Sequence, residues 1–217
     1  MPVHSLALLR RRAHVSLLLV AALAIAGCSS GSSSGPNDSS SASSTSASTP
    51  GASGFDGAAL PAGVSPPKFT LRDQAGARVS LGDYHGQVVI VAVLYSGCGS
   101  ACVVIAQQIR GALDELPGPV PVLVISADPQ GDTPARVKRF LAQVSLSGRV
   151  RYLTGSRAQL RPIWHAFRVL PASAGRAAFA RSASVFLIDR SGQERVIYQL
   201  EQLTPEALSH DVRKLLG

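Results

Sequence analysis

The run VVIVAVLY (Val88–Tyr95) constrains this chain more than any other stretch. Its residues are apolar and mostly β-branched, with no polar residue on alternate positions. Such a run cannot turn one face to water, so it predicts a strand covered on both faces. VPVLVISA (Val120–Ala127) predicts a second buried strand, and SVFLID with ERVIYQL predicts a hairpin pair turning at Ser191-Gly192. Apolar residues at helical spacing lie between the strands in ACVVIAQQIRGALDEL, TPARVKRFLAQV and SRAQLRPIWHAF, and after them in TPEALSHDVRKLL. Two of these open Thr-Pro (Thr133-Pro134 and Thr204-Pro205), an N-cap followed by proline at the first helical position. Pro162 predicts a kink or a late start in the third. A short strand at RVRYL and an early hairpin around QAGA, within KFTLRDQAGARVSL, complete the order. Buried strands alternating with helices argue an α/β layered sheet, and this order fits a thioredoxin-like fold carrying an N-terminal β-hairpin extension.

The ends of the chain divide it into three parts. Residues 1–27 carry Arg10, Arg11 and Arg12 and then the apolar run VSLLLVAALAIA, the pattern of a signal peptide. They end in IAG, and with Cys28 the run IAGC resembles the lipobox of bacterial lipoproteins and implies cleavage before Cys28 and lipidation (palmitate or a related acyl chain) of that residue. Residues 28–65 are Ser, Gly, Ala, Thr and Pro with few large apolar residues, which predicts a flexible tether. Residues 66–217 make one domain of ordinary size. The expected place is the outer face of a cell membrane, held there by lipid.

Removing the leader takes three arginines and no acids, so the formal charge of +8 becomes 8 − 3 = +5. The basic patches SRAQLR and GRAAFARS lack the aromatic interleaving of a nucleic-acid reader, and no nucleic-acid partner is expected. With Cys28 assigned to lipid, Cys98 and Cys102 remain as an isolated pair. One pair does not make a disulfide scaffold, so it is free for chemistry. It stands where the first buried strand gives way to a helix, and a helix N-terminus favours a thiolate on Cys98. Helical i,i+4 neighbours have Cβ atoms roughly 5–6 Å apart, and a disulfide wants about 3.5–4.5 Å. The spacing therefore leans toward two sulfurs on one soft metal ion, with a reversible disulfide open if Cys98 bends off the helix. The small neighbours Gly97, Gly99, Ser100 and Ala101 suggest an exposed pair.

FTLRDQAGARVSLGDYHGQVVIVAVLYSGCGSAC, SADPQGDTPARVKRF, LTG with WHAFRV, and FLIDRSGQE follow one another as the landmarks of the SCO/SenC family do, and residues 66–217 resemble that family. The resemblance implies a thioredoxin-like copper-binding factor tied to cytochrome c oxidase assembly, with Cys98 and Cys102 as metal ligands. Family members carry proline after each cysteine, where this chain has Gly99 and Val103. The family's third ligand is a histidine in an Asp-His-Ser segment, eight residues before the aspartate that ends the later strand. Here Ala180 and Arg181 occupy the Asp-His positions. A guanidinium has no lone pair to give, so the pair is expected to hold Cu(I) rather than Cu(II), with Arg181 stabilising thiolates.

The other candidates are weaker. His4 and His14 leave with the leader, His85 sits in a turn and His210 lies on the last helix. His165, beside Trp164, reads as a packing residue and is the one alternative ligand; Trp164 and Phe167 read as core, and Asp128 and Asp132 as turn and cap residues. The functional expectation is Cu(I) delivery to a cuproprotein such as cytochrome c oxidase. The alternative is a thiol-disulfide oxidoreductase acting on a partner protein's cysteines. A peroxiredoxin-type Thr-x-x-Cys is absent, because Tyr95 stands three before Cys98.

Overall fold

A computed structural model describes residues 53–217. The expected leader, Cys28 and the first part of the tether lie outside the described residues. Eight strands run β1 (Ala58–Ala59), β2 (Thr70–Arg72), β3 (Arg78–Ser80), β4 (Val89–Leu94), β5 (Val122–Ser126), β6 (Arg151–Leu153), β7 (Ser184–Ile188) and β8 (Glu194–Gln199). Five helices run α1 (Ser100–Glu115), α2 (Pro134–Gln143), α3 (Arg157–Ala166), α4 (Arg176–Ser182) and α5 (Pro205–Leu216).

The main sheet has the order β1-β8-β7-β4-β5-β6. β4, β5 and β6 are parallel, while β7 and β8 run antiparallel to their neighbours. Each β4 residue is at most 1% exposed, as the apolar run requires. α1 and α5 pack side by side. They approach closely at Gly111, where a Cβ would lie 2.8 Å from the ring of Pro205. β2 and β3 form the expected separate hairpin, joined to the main body by a bridge between Arg72 and Thr154. The mixed α/β architecture is the thioredoxin-like one read from the order of elements.

Thr133 and Thr204 cap α2 and α5 with a proline behind each, as the sequence predicts. α3 does not start late: it runs through Pro162. Pro162 and Ala158 are both exposed, so water can take the carbonyl that loses its donor. α4 and β1 carry no clear sequence signal. α4 is seven residues long and buries only Phe179, and β1 has two residues.

Residues 53–65, expected as the last part of the tether, are held against the domain. Phe55 is buried, with Lys214 Nζ 5.2 Å and the Arg195 guanidinium 5.9 Å from its ring centre. The backbone N–H groups of Asp56 and Gly57 donate to the Asp211 carboxylate at 2.9 and 3.0 Å. β1 then pairs with β8. This arm is invisible in composition because it is anchored by one aromatic ring and by backbone donors. Asp211 is fully buried and also accepts from the Tyr198 hydroxyl. Asp211→Ala strands these donors, so it lowers stability by about 3 kcal/mol in urea denaturation and exposes the arm to proteolysis; an unchanged midpoint would show that the arm does not depend on this carboxylate.

Candidate functional site

β4 ends at Leu94, and the chain turns through Tyr95, Ser96, Gly97 and Cys98 into α1. Gly99 is the N-cap of α1 at φ 82°, ψ −145°, and provides no side-chain cap. That left-handed conformation favours glycine, and it removes Cys98 from the helix while Cys102 stays on the first turn. The two are joined in a disulfide with Cα atoms 5.9 Å apart, within the usual range. The expectation that the spacing disfavours closure rested on both residues being helical, and Gly99 removes that premise. The pair is also buried, Cys98 at 6% exposure and Cys102 at 0%, rather than exposed as the small neighbours suggested.

The sulfur of Cys98 serves as the missing cap. The Cys102 backbone N–H donates to Cys98 Sγ at 3.0 Å, one of the first-turn donors that no helical carbonyl can satisfy. On reduction this donor and the helix dipole favour the thiolate at Cys98.

The loop is held by Asp132, which sequence reasoning took for a turn or cap residue. Its Oδ1 accepts the Ser96 N–H at 2.7 Å. Its Oδ2 accepts the Ser126 hydroxyl at 2.6 Å and the Tyr152 hydroxyl at 2.7 Å. Asp132 thus ties the entry of the cysteine loop to β5 and β6. Tyr152 is buried, and burial followed by the neighbouring Asp132 charge pushes its hydroxyl far above the ordinary tyrosine range. The signal was present in SADPQGDTP: Thr133 already caps α2, so an acid just before it was not needed for capping. Asp128 does shape the turn, accepting the Gly131 N–H at 3.0 Å. Trp164 and Phe167 are core as expected, and the Trp164 indole donates to Ser126 O at 2.9 Å.

The cation beside the loop is Arg176, not Arg181. A Cβ built on Gly99 would lie 4.0 Å from Arg176 Nη1. Arg181 is exposed five positions further along α4, a rotation of roughly 140° about the helix. Between them Phe179 is buried and packs edge-on against Tyr95, ring centres 4.8 Å apart. Burial raises the Tyr95 hydroxyl above its ordinary value, and Arg176 opposes that shift.

Among the described residues no imidazole joins the sulfurs. His85 and His165 are exposed, and His210 Nδ1 lies 3.2 Å from Asp56 and 3.0 Å from Asp211. Asp56, His210 and Asp211 form the one convergent trio of such donors among the described residues, and it excludes both cysteines. The site is therefore two sulfurs, a helix N-terminus and a nearby guanidinium.

Asp132→Ala leaves two buried hydroxyls and a loop N–H without their acceptor. We expect a loss of about 3 kcal/mol in urea denaturation together with faster reduction of Cys98–Cys102 by dithiothreitol. A destabilised protein with an unchanged reduction rate would mean that Asp132 supports the core and not the loop.

A partial match, 40% identical over 82 residues, links the chain to peroxiredoxin Bcp of Escherichia coli. It spans 37% of this chain and half the length of that relative. Among solved structures, BsSco, described as a member of the Sco family of cytochrome c oxidase assembly proteins with a disulfide switch, superposes with TM-score 0.61 at 23% identity, covering 72% of this chain and 95% of BsSco. Copper-bound ScoI of Bradyrhizobium japonicum gives TM-score 0.51 at 24% identity, covering 70% and 99% of the two chains. These likenesses are likenesses of fold. The SCO1/SenC sequence profile matches residues 59–217, nearly all of the described chain, and the protein belongs to the SCO1/SenC family.

Proposed function

We propose that this protein is a membrane-anchored, extracytoplasmic copper carrier that holds Cu(I) between Cys98 and Cys102 and passes it to a cuproprotein such as cytochrome c oxidase. The observation that carries the reading is the pair itself: two sulfurs brought together at a helix N-terminus, with a backbone N–H already aimed at Cys98. Family membership supports it, as does the copper bound to the ScoI relative. The lack of a third donor selects the oxidation state. Cu(I) is soft and accepts two thiolates in a low-coordinate site, whereas Cu(II) prefers nitrogen and oxygen ligands in a tetragonal set. Copper enters only after the disulfide is reduced, so the resting redox state gates loading. The anchor rests on the IAGC sequence at Cys28.

Anaerobic titration of the reduced full chain in uncharged detergent tests this reading. One equivalent of Cu(I) should bind in competition with a bicinchoninate-type chelator. Cys98→Ser or Cys102→Ser should weaken binding by about a hundredfold or more. Failure to compete with the chelator would sink the proposal.

The second reading is a thiol-disulfide oxidoreductase acting on a partner's cysteines, favoured by the closed disulfide and by Arg176 beside it. Alkylation rates of the reduced protein measured against pH decide it. A midpoint well below the ordinary thiol value of about 8.5 supports the redox role, and one at or above that value counts against it.

A further inference from the structure

The chain has no acidic residue between Asp132 and Asp189, yet that stretch holds ten cations. Two of them, Arg149 and Arg151, are paired with Asp114 and Asp73. The other eight (Arg136, Lys138, Arg139, Arg157, Arg161, Arg168, Arg176 and Arg181) are exposed, and none is in an ion pair among the described residues.

The topology gathers half of these around the cysteines. Strand register puts the C-terminal ends of β4, β5 and β6 and the N-terminal end of β7 at one end of the sheet. The cysteine loop leaves from β4 at that end. Arg136 lies on the first turn of α2 after β5, and Arg157 opens α3 after β6. Arg176 and Arg181 lie on α4, which leads into β7. The Ala172 N–H donates to Ala127 O at 3.0 Å, and Arg157 Nη2 donates to Ser173 Oγ at 3.0 Å. These bonds seat the segment before α4 beside the loop after β5. The acids at this end are Asp128, which is engaged in its own turn, the buried Asp132, and Glu201 and Glu206 beyond β8.

We propose that this arginine-ringed end is the docking face for a partner protein whose surface around its own thiol or copper site is acidic. The inference rests on the reading of Cys98 and Cys102 as the reactive pair and names the partner of that site. Arginines spaced around a reactive centre raise the local concentration of an anionic surface and select it over a cationic one. A protein is favoured over an anionic membrane by where the chain enters. Gly54 lies against Lys214 at the end of α5, and Ser53 and Phe55 lie beside Asp189, Arg190 and Ser191 of the β7–β8 turn; the arm then pairs with β8 from Ile197 toward Glu194. The described chain therefore starts at the opposite end of the sheet, away from the cysteines and the arginines.

With an acidic dithiol partner the exchange balances as follows. One partner thiolate attacks Cys98 Sγ, the less buried sulfur, and Cys102 leaves as thiolate. The partner's second thiol then displaces Cys98 from the mixed disulfide. The partner dithiol is oxidised by two electrons, and the Cys98–Cys102 pair is reduced by the same two.

The test uses the full chain in uncharged detergent and two fluorescein-labelled dithiol peptides that differ only in acidic or lysine flanks. Binding is read by anisotropy on the Cys98→Ser/Cys102→Ser variant, which removes the chemistry. The acidic peptide should bind at least about tenfold tighter at low salt, with the gap closing as salt shortens the screening length. Arg157→Glu with Arg176→Glu should abolish the preference, while Lys138→Glu with Arg161→Glu should leave it within about twofold. The salt dependence of the unreversed arginine face gives a readout that survives if a charge-reversed variant fails to fold. Equal affinity for both peptides at low salt, or equal loss in both reversals, overturns the proposal. Phosphatidylserine vesicles that bind through Arg157 and Arg176 while the peptides show no preference would assign the face to the membrane instead. An acidic preference with no thiol exchange by the wild-type pair would keep the docking face and remove the redox reading alone.

Discussion

β4 has no contact with water along its whole length, and everything that matters for the site follows from how the chain leaves it. A strand buried on both faces cannot shift its register without exposing apolar residues, so its C-terminal end is a fixed point. Asp132 extends that rigidity into the loop by bonding Ser96 just beyond the strand and anchoring to Ser126 and Tyr152 on the next two. The cysteine loop is thus irregular in shape but seated by charge-assisted bonds on the rigid part of the sheet. A buried carboxylate is tolerated there because its three donors compensate for the lost hydration.

On that platform the chemistry is set by what surrounds two sulfurs. A helix start without a side-chain cap leaves N–H groups seeking an acceptor, and Cys98 Sγ receives one of them. An arginine beside the loop adds positive potential but no lone pair. Both features stabilise negative sulfur, and neither supplies a third metal ligand. The described site therefore holds groups that serve thiolates, and among the described residues no imidazole that would serve Cu(II) stands with them. Both cysteines are buried, so in the proposed docking the partner must approach closely to reach Cys98, which makes the charge of the surrounding rim consequential.

Much of this was legible in the residues themselves. The β-branched runs gave β4 and β5, the Thr-Pro pairs gave the starts of α2 and α5, and the Ser-Gly turn gave the β7–β8 hairpin. Each is a local rule whose cause lies within a few residues. α4 and β1 escaped because elements of seven and two residues have too little periodicity to stand out. The arm at Phe55 escaped because its partners, Asp211 and Lys214, lie more than 150 residues away. Pro162 was read by its local cost, but on an exposed helix face that cost is small.

The sequence by itself determined the fold class and the family and singled out the pair Cys98 and Cys102, since strand burial, helix caps and Cys98-x3-Cys102 are all written in short windows. It also determined that no histidine lies between His165 and His210. Only the tertiary structure decided that the pair closes as a disulfide, because closure depends on the backbone at Gly99 and not on the spacing. Only the structure replaced Arg181 with Arg176 as the neighbouring cation, since a short helix of unforeseen phase turns one side chain toward the loop and carries the other away. And only the sheet register brought the acid-free stretch around the cysteines, because parallel strands deliver distant segments to the same end.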